Sequence, residues 1–211
     1  MTQIGYNVEI DKEKLAEAIS LFEFVGGNSD RALQVAINRT GKKVKTLSSR
    51  TVREQINLKK SYVDGRLTFF GASRKQLTGK ISSESRGILL SRFSTDTAVK
   101  NNGEKTSLLQ APKAPPRGIR VKVKPSGGTK ALSKDFFYMK LKNSGAIGIA
   151  RRLPKGQTGP RGGKYDVLYG PSVSQAFNSV RDQVLPEAGR IYESELLDAM
   201  RFLLAKQYPK D

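Results

Sequence analysis

The side chains of this sequence that could form a binding site are those of Lys and Arg, and the candidates fall into two clusters. One cluster lies on a single side of a predicted helix, provided that the helix is unbroken, and consists of Arg39, Lys42, Lys43, Arg50 and Arg53. The other lies in a glycine-rich loop and consists of Arg151, Arg152, Lys155, Arg161 and Lys164. Clustered like charges repel each other, whereas phosphate groups attract them. Both clusters are therefore candidates for contact with the phosphates of a nucleic acid.

Each cluster also has a structural interpretation that needs no ligand. The helix cations could form a solvated face beside an apolar stripe, and the loop could be the exposed tip of a β-hairpin. A nucleotide-binding P-loop is excluded, because Thr158 stands where the motif needs its first glycine and Tyr165 replaces the Ser or Thr that would hold magnesium. The sequence alone leaves both interpretations open.

The charge of the chain is distributed unevenly. The 211 residues include 38 Lys and Arg against 19 Asp and Glu, which gives a net charge of +19. Residues 31–170 contain 31 basic and 7 acidic residues, whereas residues 1–30 are net −4 and residues 171–211 are net −1. A near-neutral frame that carries a very basic middle predicts contact with a polyanion, and nucleic acid is the leading candidate. The alternative is a basic surface that serves solubility alone.

The residues that most enzymes use are scarce. The sequence contains no Cys and no His, which excludes disulfides, thiolate nucleophiles, Cys/His metal sites and histidine acid–base chemistry. A nuclease that binds its metal through carboxylates would still be possible. The carboxylates of the basic middle are scattered singly over different predicted elements, and are Glu54, Asp64, Glu84, Asp96, Glu104, Asp135 and Asp166. We therefore predict that the protein is not an enzyme and needs no metal or cofactor.

The pattern of apolar residues predicts an α+β fold in one domain, 1–211. Residues 1–60 are expected to be helical, with one helix beginning near Asp11 and another near Ser29. Residues 61–169 are expected to form a central, mainly antiparallel β-sheet. Residues 170–211 are expected to form a long C-terminal helical pair, because helical spacing continues on both sides of Pro186, which should end or kink a helix.

The central region changes from helical spacing to short extended segments between glycine-rich turns. Six strands are predicted, at Arg66–Gly71, Gly87–Phe93, Gly118–Lys124, Phe136–Leu141, Ala146–Arg152 and Tyr165–Tyr169. Alternation is strict in Ile119–Lys124, which predicts a half-buried strand with three positive charges on its exposed face. Thr95–Pro116 is polar and too long for a tight connection, so we expect a long loop there.

Several short segments carry a resemblance to a known family. In chain order they are Ala36–Thr40, Arg53 with Ile56–Lys60, Phe137–Gly145 with Ile149–Arg152, and Leu168–Phe177. In order and spacing they resemble the minor tail protein Z family of tailed bacteriophages, also called tail completion proteins. Leu168-Tyr-Gly-Pro-Ser-Val-Ser-Gln-Ala-Phe177 resembles the family's entry into its C-terminal helices. None of these segments is catalytic.

The resemblance implies a structural protein of the phage neck, found in the virion and, during assembly, in the host cytoplasm. Such a protein completes the tail for joining to the head, forms a sixfold or twelvefold ring around the DNA exit channel, and contacts the neighbouring connector and tail proteins. It would bind phage DNA through non-specific phosphate contacts. The alternative is a sequence-independent nucleic-acid-binding protein, histone-like or ribosome-associated. No membrane partner is expected, because no apolar run approaches the ~20 residues of a membrane span.

Overall fold

Two long helices with short antiparallel strands between them make up the described part of the chain. The computed structural model describes residues 29–96, 111–159 and 163–207. Its α-helices are α1 (Ser29–Gln55), α2 (Lys60–Arg66) and α3 (Val173–Gln207), and Leu90–Phe93 forms a 3-10 helix. Its strands are β1 (Leu67–Phe70), β2 (Lys80–Ser83), β3 (Ile88–Leu89), β4 (Arg120–Val121), β5 (Lys130–Ala131), β6 (Phe136–Lys140), β7 (Ile147–Arg152), β8 (Tyr165–Val167) and β9 (Tyr169–Gly170). The predicted α+β class is confirmed.

Some sequence predictions lie outside the described residues. The helix expected to begin near Asp11 falls in residues 1–28, and residues 97–110 make up most of the expected loop Thr95–Pro116. Arg161 of the second cation cluster and the carboxylate of Glu104 are also outside. Within the described ranges, no helix is long and apolar enough to cross a membrane.

The chain divides into two compact units whose segments alternate along the sequence. Among the described residues, the first unit comprises 29–52, 60–84 and 177–207. The second unit comprises 53–59, 85–96, 111–159 and 163–176. The organisation as one domain that we expected from the sequence stays a prediction.

The first unit is built on the contact between α1 and α3. Ala32 and Ala36 of α1 are completely buried, and they share an apolar cluster with the α3 residues Leu196, Ala199, Met200 and Leu203. The distance between packed helices depends on the side chains at their contact, so two alanines allow the helix backbones to approach closely. The helical spacing of apolar residues that predicted α1 and the C-terminal helix thus marks the faces that pack together.

The β1–β2 hairpin packs on α1 through an aromatic ring. The two strands pair antiparallel over four residues each. The ring of Phe69 lies so close to Gly41 of α1 that a Cβ added there would be 2.0 Å from the ring atom Cε2. A Cβ added at Gly79, before β2, would be 3.2 Å from the same atom. Gly41 therefore does not interrupt α1, and its missing side chain leaves the space that the ring occupies.

The loop after β1 is held to α1 by two amide side chains. Asn38 Oδ1 accepts a hydrogen bond from the Ala72 N–H at 2.8 Å, and Asn38 Nδ2 donates to the Ala72 carbonyl at 3.1 Å. Gln34 Nε2 donates to the same carbonyl at 3.3 Å. Both backbone polar groups of the buried Ala72 are therefore satisfied by α1, which fixes the position of the loop on the helix.

The second unit contains the other strands, and its core is formed by aromatic and β-branched side chains. Strand β7 is the centre of the three-stranded antiparallel sheet β6–β7–β8, while β3–β9 and β4–β5 are two-stranded. Phe93 and Ile149 are completely buried, and a Cβ added at Gly170 would be 2.7 Å from the Phe93 ring. The buried hydroxyls of Ser94 and Tyr138 share a hydrogen bond of 2.7 Å. All six predicted strand positions contain strand residues, but they form several small sheets and not one central sheet. The prediction of a strand over Gly87–Phe93 is wrong for Leu90–Phe93, where the chain turns into a 3-10 helix that ends with a 3.1 Å hydrogen bond from the Ser94 N–H to the Ser91 carbonyl.

Helix α3 begins with a capping box. Ser172 Oγ accepts a hydrogen bond from the Gln175 N–H at 3.0 Å, and Gln175 Oε1 accepts one from the Ser172 N–H at 2.9 Å. Ser172 therefore satisfies one of the first amides of the helix that have no partner within it. Pro171 precedes this cap and does not lie in the first turn of the helix.

The predicted C-terminal helical pair is a single helix, because α3 continues through Pro186. A proline removes one backbone hydrogen bond and crowds the carbonyl four residues before it. Pro186 is exposed, so that carbonyl can turn towards water, as carbonyls on the solvent side of long helices do. Val184 and Ala188, on either side of it, are buried. Their packing keeps both halves in one helix.

Adding a methyl group at Gly41 is expected to destabilise the first unit. In Gly41→Ala the new Cβ would overlap the Phe69 ring, and such overpacking costs about 2 kcal/mol, or a Tm lower by about 4–8 °C. Gly65→Ala in α2 is the control, because an added Cβ there would meet nothing within 4 Å. Thermal unfolding followed by circular dichroism measures both variants. Equal Tm values for the two would show that Phe69 does not fill this space.

Candidate nucleic-acid interface

Helix α1 presents the first cation cluster on one side. Because α1 is unbroken from Ser29 to Gln55, the five residues project within about 100° of its circumference and along about 21 Å of its length. Four of them are exposed and Arg53 is partly buried. The helical geometry that the phosphate-contact prediction requires is therefore present.

Two cations of this cluster have an acidic partner on α3. Lys43 Nζ lies 2.5 Å from Glu195 Oε1, and Arg39 Nη1 lies 3.8 Å from Glu195 Oε2. The Glu195 side chain is only 6% exposed, whereas those of Arg39 and Lys43 are 50% and 62% exposed. A buried carboxylate without a partner is strongly destabilising, so these two cations hold α3 to α1. The fold thus supplies Arg39 and Lys43 with an acidic partner from another helix, which the spacing along α1 could not show.

The other three cations of α1 differ in their surroundings. Arg50 and Arg53 also interact with neighbouring groups. Lys42 is exposed, and it forms no ion pair with any residue that the structure describes. Its ammonium group is therefore open to a ligand.

The second cluster lies on the β7–β8 hairpin, but its members do not share one face. Arg151 and Arg152 are consecutive residues of β7, so their side chains point to opposite faces of the sheet. Arg151 forms a 4.0 Å ion pair with Asp166 of β8. Arg152 is exposed and lies opposite Tyr165 in the register of the two strands. A ligand could therefore meet Arg152 without contacting Arg151.

The loop of this hairpin carries two further cations of the cluster. Residues 154–157 form a turn closed by a backbone hydrogen bond of 3.0 Å, with Lys155 at its second position. The third position, Gly156, has φ +90°, which suits glycine and is typical of a type II turn. Lys155 and Lys164 are both exposed. The interpretation of this loop as an exposed hairpin is thus confirmed for its described part, and its contact with phosphates stays a prediction.

The carboxylates that a metal-dependent nuclease would need are dispersed over the fold. Glu84 pairs with Arg66, and Asp64 accepts a hydrogen bond from Ser49. Asp166 forms the ion pair on the β7–β8 hairpin. Among the residues that the structure describes, no group of three or more His, Cys, Asp or Glu could hold a metal ion. Each of these three carboxylates instead serves a neighbouring cation or hydroxyl.

An apolar cavity of about 370 Å³ lies in the first unit between α1, the hairpin and α3. Its described lining offers no carboxylate, amine or imidazole for acid–base chemistry. The Thr40 hydroxyl faces this region and has no hydrogen-bond partner among the described residues. Burial raises the pKa of Tyr192, which lines the cavity, and also that of Tyr138 in the second unit. Both phenols therefore stay protonated at neutral pH.

Glu195 is the residue of this region that sequence reasoning missed. It lies between Tyr192 and Leu196, inside the apolar stripe that packs α3 on α1. A carboxylate within an apolar stripe is a usable signal, because carboxylates are rarely buried without a partner. The signal does not identify the partner, since Lys43 lies far away in the sequence and is brought near only by the fold.

A comparison with protein-family models matches nearly the whole chain. The family model described as prophage minor tail protein Z (GPZ) matches residues 14–208. The matched range includes both cation clusters and both long helices. No curated protein and no solved structure matches the chain.

Removing the charges of Arg39 and Lys43 is expected to cost more stability than removing the charge of Glu195. In Arg39→Met/Lys43→Met, Glu195 would stay buried without a cation, at a cost of about 3 kcal/mol. In Glu195→Gln the cations can be hydrated, because they are half exposed, so the cost should be about 1 kcal/mol. Urea unfolding measures both, with Lys42→Met as the control for loss of an exposed cation. A larger loss in Glu195→Gln would contradict this account.

Proposed function

We propose that this chain, which belongs to the family of prophage minor tail protein Z, completes the phage tail at its junction with the head. Copies of the chain would form a ring around the channel through which the genome leaves. A structural role in a phage tail follows from the family itself; the position at the neck and the ring are inferred. The match over residues 14–208 is the observation that carries the proposal.

The charge of the chain supports a position beside DNA. The wall of a DNA channel must attract the duplex and still let it slide, so it needs cations and no base-reading element. The net charge of +19 is concentrated between residues 31 and 170, and no zinc finger is possible without Cys and His. These features fit sequence-independent contact with phosphates.

The residues that we infer to face DNA come from the two cation clusters. Arg39, Lys43 and Arg151 have carboxylate partners, so each would add less net positive charge to a DNA-facing surface than an exposed cation without such a partner. The remaining candidates are Lys42, Arg50 and Arg53 on α1 and Arg152, Lys155, Arg161 and Lys164 on the β7–β8 hairpin. Partners in the particle would be further copies of this chain and the adjoining connector and tail proteins.

A free-standing nucleic-acid-binding protein is the alternative, and the same net charge favours it. Such a protein would bind duplex at about 10⁻⁶ M or tighter as an isolated chain, with a steep dependence on salt. A neck protein would bind more weakly until its ring forms. The two functions therefore differ in where the protein is found and in how strongly the single chain binds.

Immunogold labelling of purified phage particles is expected to place the protein at the head–tail junction. Electron microscopy of particles labelled with an antibody against this chain measures the position directly, and an antibody against a major head protein is the control. Gold confined to the junction supports the neck position. Unlabelled particles, with the protein recovered on nucleic acid in the lysate, would contradict it and favour the alternative.

Charge reversal on the β7–β8 hairpin is expected to impair genome retention or delivery without preventing assembly. The test variant is Arg152→Glu/Lys155→Glu/Lys164→Glu, whose positions are exposed. Lys60→Glu/Arg74→Glu/Lys75→Glu changes the net charge equally at exposed positions of the first unit. Particle counts by microscopy, packaged DNA and infectivity are compared. Normal infectivity of the hairpin variant would remove these three residues from the proposed channel surface.

A further inference from the structure

A third group of cations lies outside both predicted clusters. No acidic residue occurs between Glu104 and Asp135, and the stretch 117–134 is rich in Lys and Arg. Its six cations are Arg117, Arg120, Lys122, Lys124, Lys130 and Lys134. All of them belong to the second unit. This stretch therefore concentrates positive charge without any acidic residue of its own.

The backbone in the middle of this stretch is held extended from both edges. On one edge β4 pairs with β5, and the Leu132 N–H donates to the Ile119 carbonyl at 2.8 Å. On the other edge the Lys122 N–H donates to the Phe93 carbonyl at 2.8 Å. Residues 119–123 thus form an inner segment of a small sheet, and their side chains project from a fixed backbone.

Alternation along this segment separates apolar from charged side chains, as the sequence predicted. Ile119 and Val121 are 0% and 5% exposed. Arg120 and Lys124 are exposed and Lys122 is partly exposed, on the opposite side of the segment. Alternate residues of a strand are about 6.6 Å apart, so the three cations span about 13 Å. That span equals the rise of about four base pairs of DNA.

These three cations, which we call the strand cations, are open to a ligand. Within the part of the chain that the structure describes, none of the three forms an ion pair, in contrast to Lys43 and Arg151. Lys124 begins a turn that is closed by a 3.1 Å hydrogen bond from the Gly127 N–H to the Lys124 carbonyl. Because Arg120 and Lys124 are exposed and Lys122 is partly exposed, a polyanion can reach all three side chains.

We propose that the strand cations, Arg120, Lys122 and Lys124, bind the phosphates of duplex DNA without reading its sequence. Residues 119–123, which carry Arg120 and Lys122 and end next to Lys124, are paired on both edges, so they cannot enter the major groove as a free two-stranded ribbon and reach the base edges. Residues 117–134 contain no aromatic residue that could stack on an unpaired base, which favours duplex over single strands. The inference rests on the proposed function, in which this chain lies beside a DNA channel.

Fluorescence anisotropy of a labelled duplex of mixed sequence, measured with the full chain in a salt series, tests this surface. Each phosphate contact adds about −0.9 to the slope of log K against log salt. Arg120→Gln/Lys122→Gln/Lys124→Gln should therefore bind about tenfold weaker or worse at low salt, with a slope smaller by about 2.7. The control Lys60→Gln/Arg74→Gln/Lys75→Gln removes the same charge from the first unit and should leave the slope nearly unchanged.

Two checks keep the result interpretable. Circular dichroism shows whether the triple variant is folded. If it is not, Lys124→Gln alone, at an exposed position, takes its place as the test variant and should reduce the slope by about 0.9. Equal losses in the test and control variants would overturn the proposal, because binding would then follow net charge. Unchanged binding of the test variant would also overturn it, and so would stronger binding to polyglutamate than to duplex, which would indicate an acidic protein partner.

The outcome is separable from that of the neck proposal. Gold at the head–tail junction together with unchanged DNA binding by the test variant would refute DNA binding by the strand cations and leave the proposed function standing. Specific loss of DNA binding in that variant, with no label on particles, would support DNA binding by the strand cations and contradict the position at the neck.

Discussion

The first unit depends on one constraint, which is that α3 and the loop after β1 must both pack closely against α1. A helix advances about 100° per residue, so the four consecutive residues 36–39 point in four directions and meet different neighbours. Ala36 packs in the α3 cluster, Ile37 lines the cavity, Asn38 holds the loop after β1, and Arg39 pairs with Glu195. This segment carries part of the family resemblance, and packing explains its residue types without any catalytic role.

The cations of this protein serve two physical purposes, and a carboxylate partner distinguishes them. Lys43 satisfies a carboxylate that is almost fully buried, so its charge is used within the fold. Lys42, one position earlier, is exposed and projects about 100° away from it on the same helix. Net charge alone therefore overstates how much of the basic surface can meet a polyanion, and the paired cations must be set aside first.

The elements that could be predicted from the sequence are those whose own residues carry a repeating pattern. The long apolar stripes predicted α1 and the C-terminal helix, and strict alternation predicted the exposed charges of residues 119–124. Strands β2 and β5 were not predicted, because each contains a single apolar residue and so shows no alternation of its own. They form by pairing with β1 and β4. The prediction that Pro186 divides the C-terminal segment into two helices was wrong. Proline disfavours a helix only locally, whereas the packing of Val184 and Ala188 stabilises the helix on both sides of it.

The candidate site was predicted only in part, because some of its features follow from local spacing and others from contacts between distant segments. Which cations cluster on a helix face follows from spacing, but which of them are neutralised depends on long-range contacts such as Lys43 with Glu195. Arg151 could have been separated from Arg152 by strand alternation alone, whereas its partner Asp166 is set by the register of β7 with β8.

Cations such as Arg120 and Lys122, which form no ion pair within the described ranges and project from a fixed backbone, suit a surface along which DNA would move. Each phosphate contact of this kind is weak, depends on salt and ignores sequence, so a sliding duplex exchanges one set of equivalent contacts for the next. In a ring of identical chains such contacts would repeat around the duplex, and their effects would combine through the high effective concentration that multivalent binding creates. Retention of DNA would then come from the number of contacts, while release would require breaking only a few of them at a time. Carboxylate partners on this surface would lower the attraction at every copy, which gives a physical reason for a cationic stretch with no acidic residue between Glu104 and Asp135.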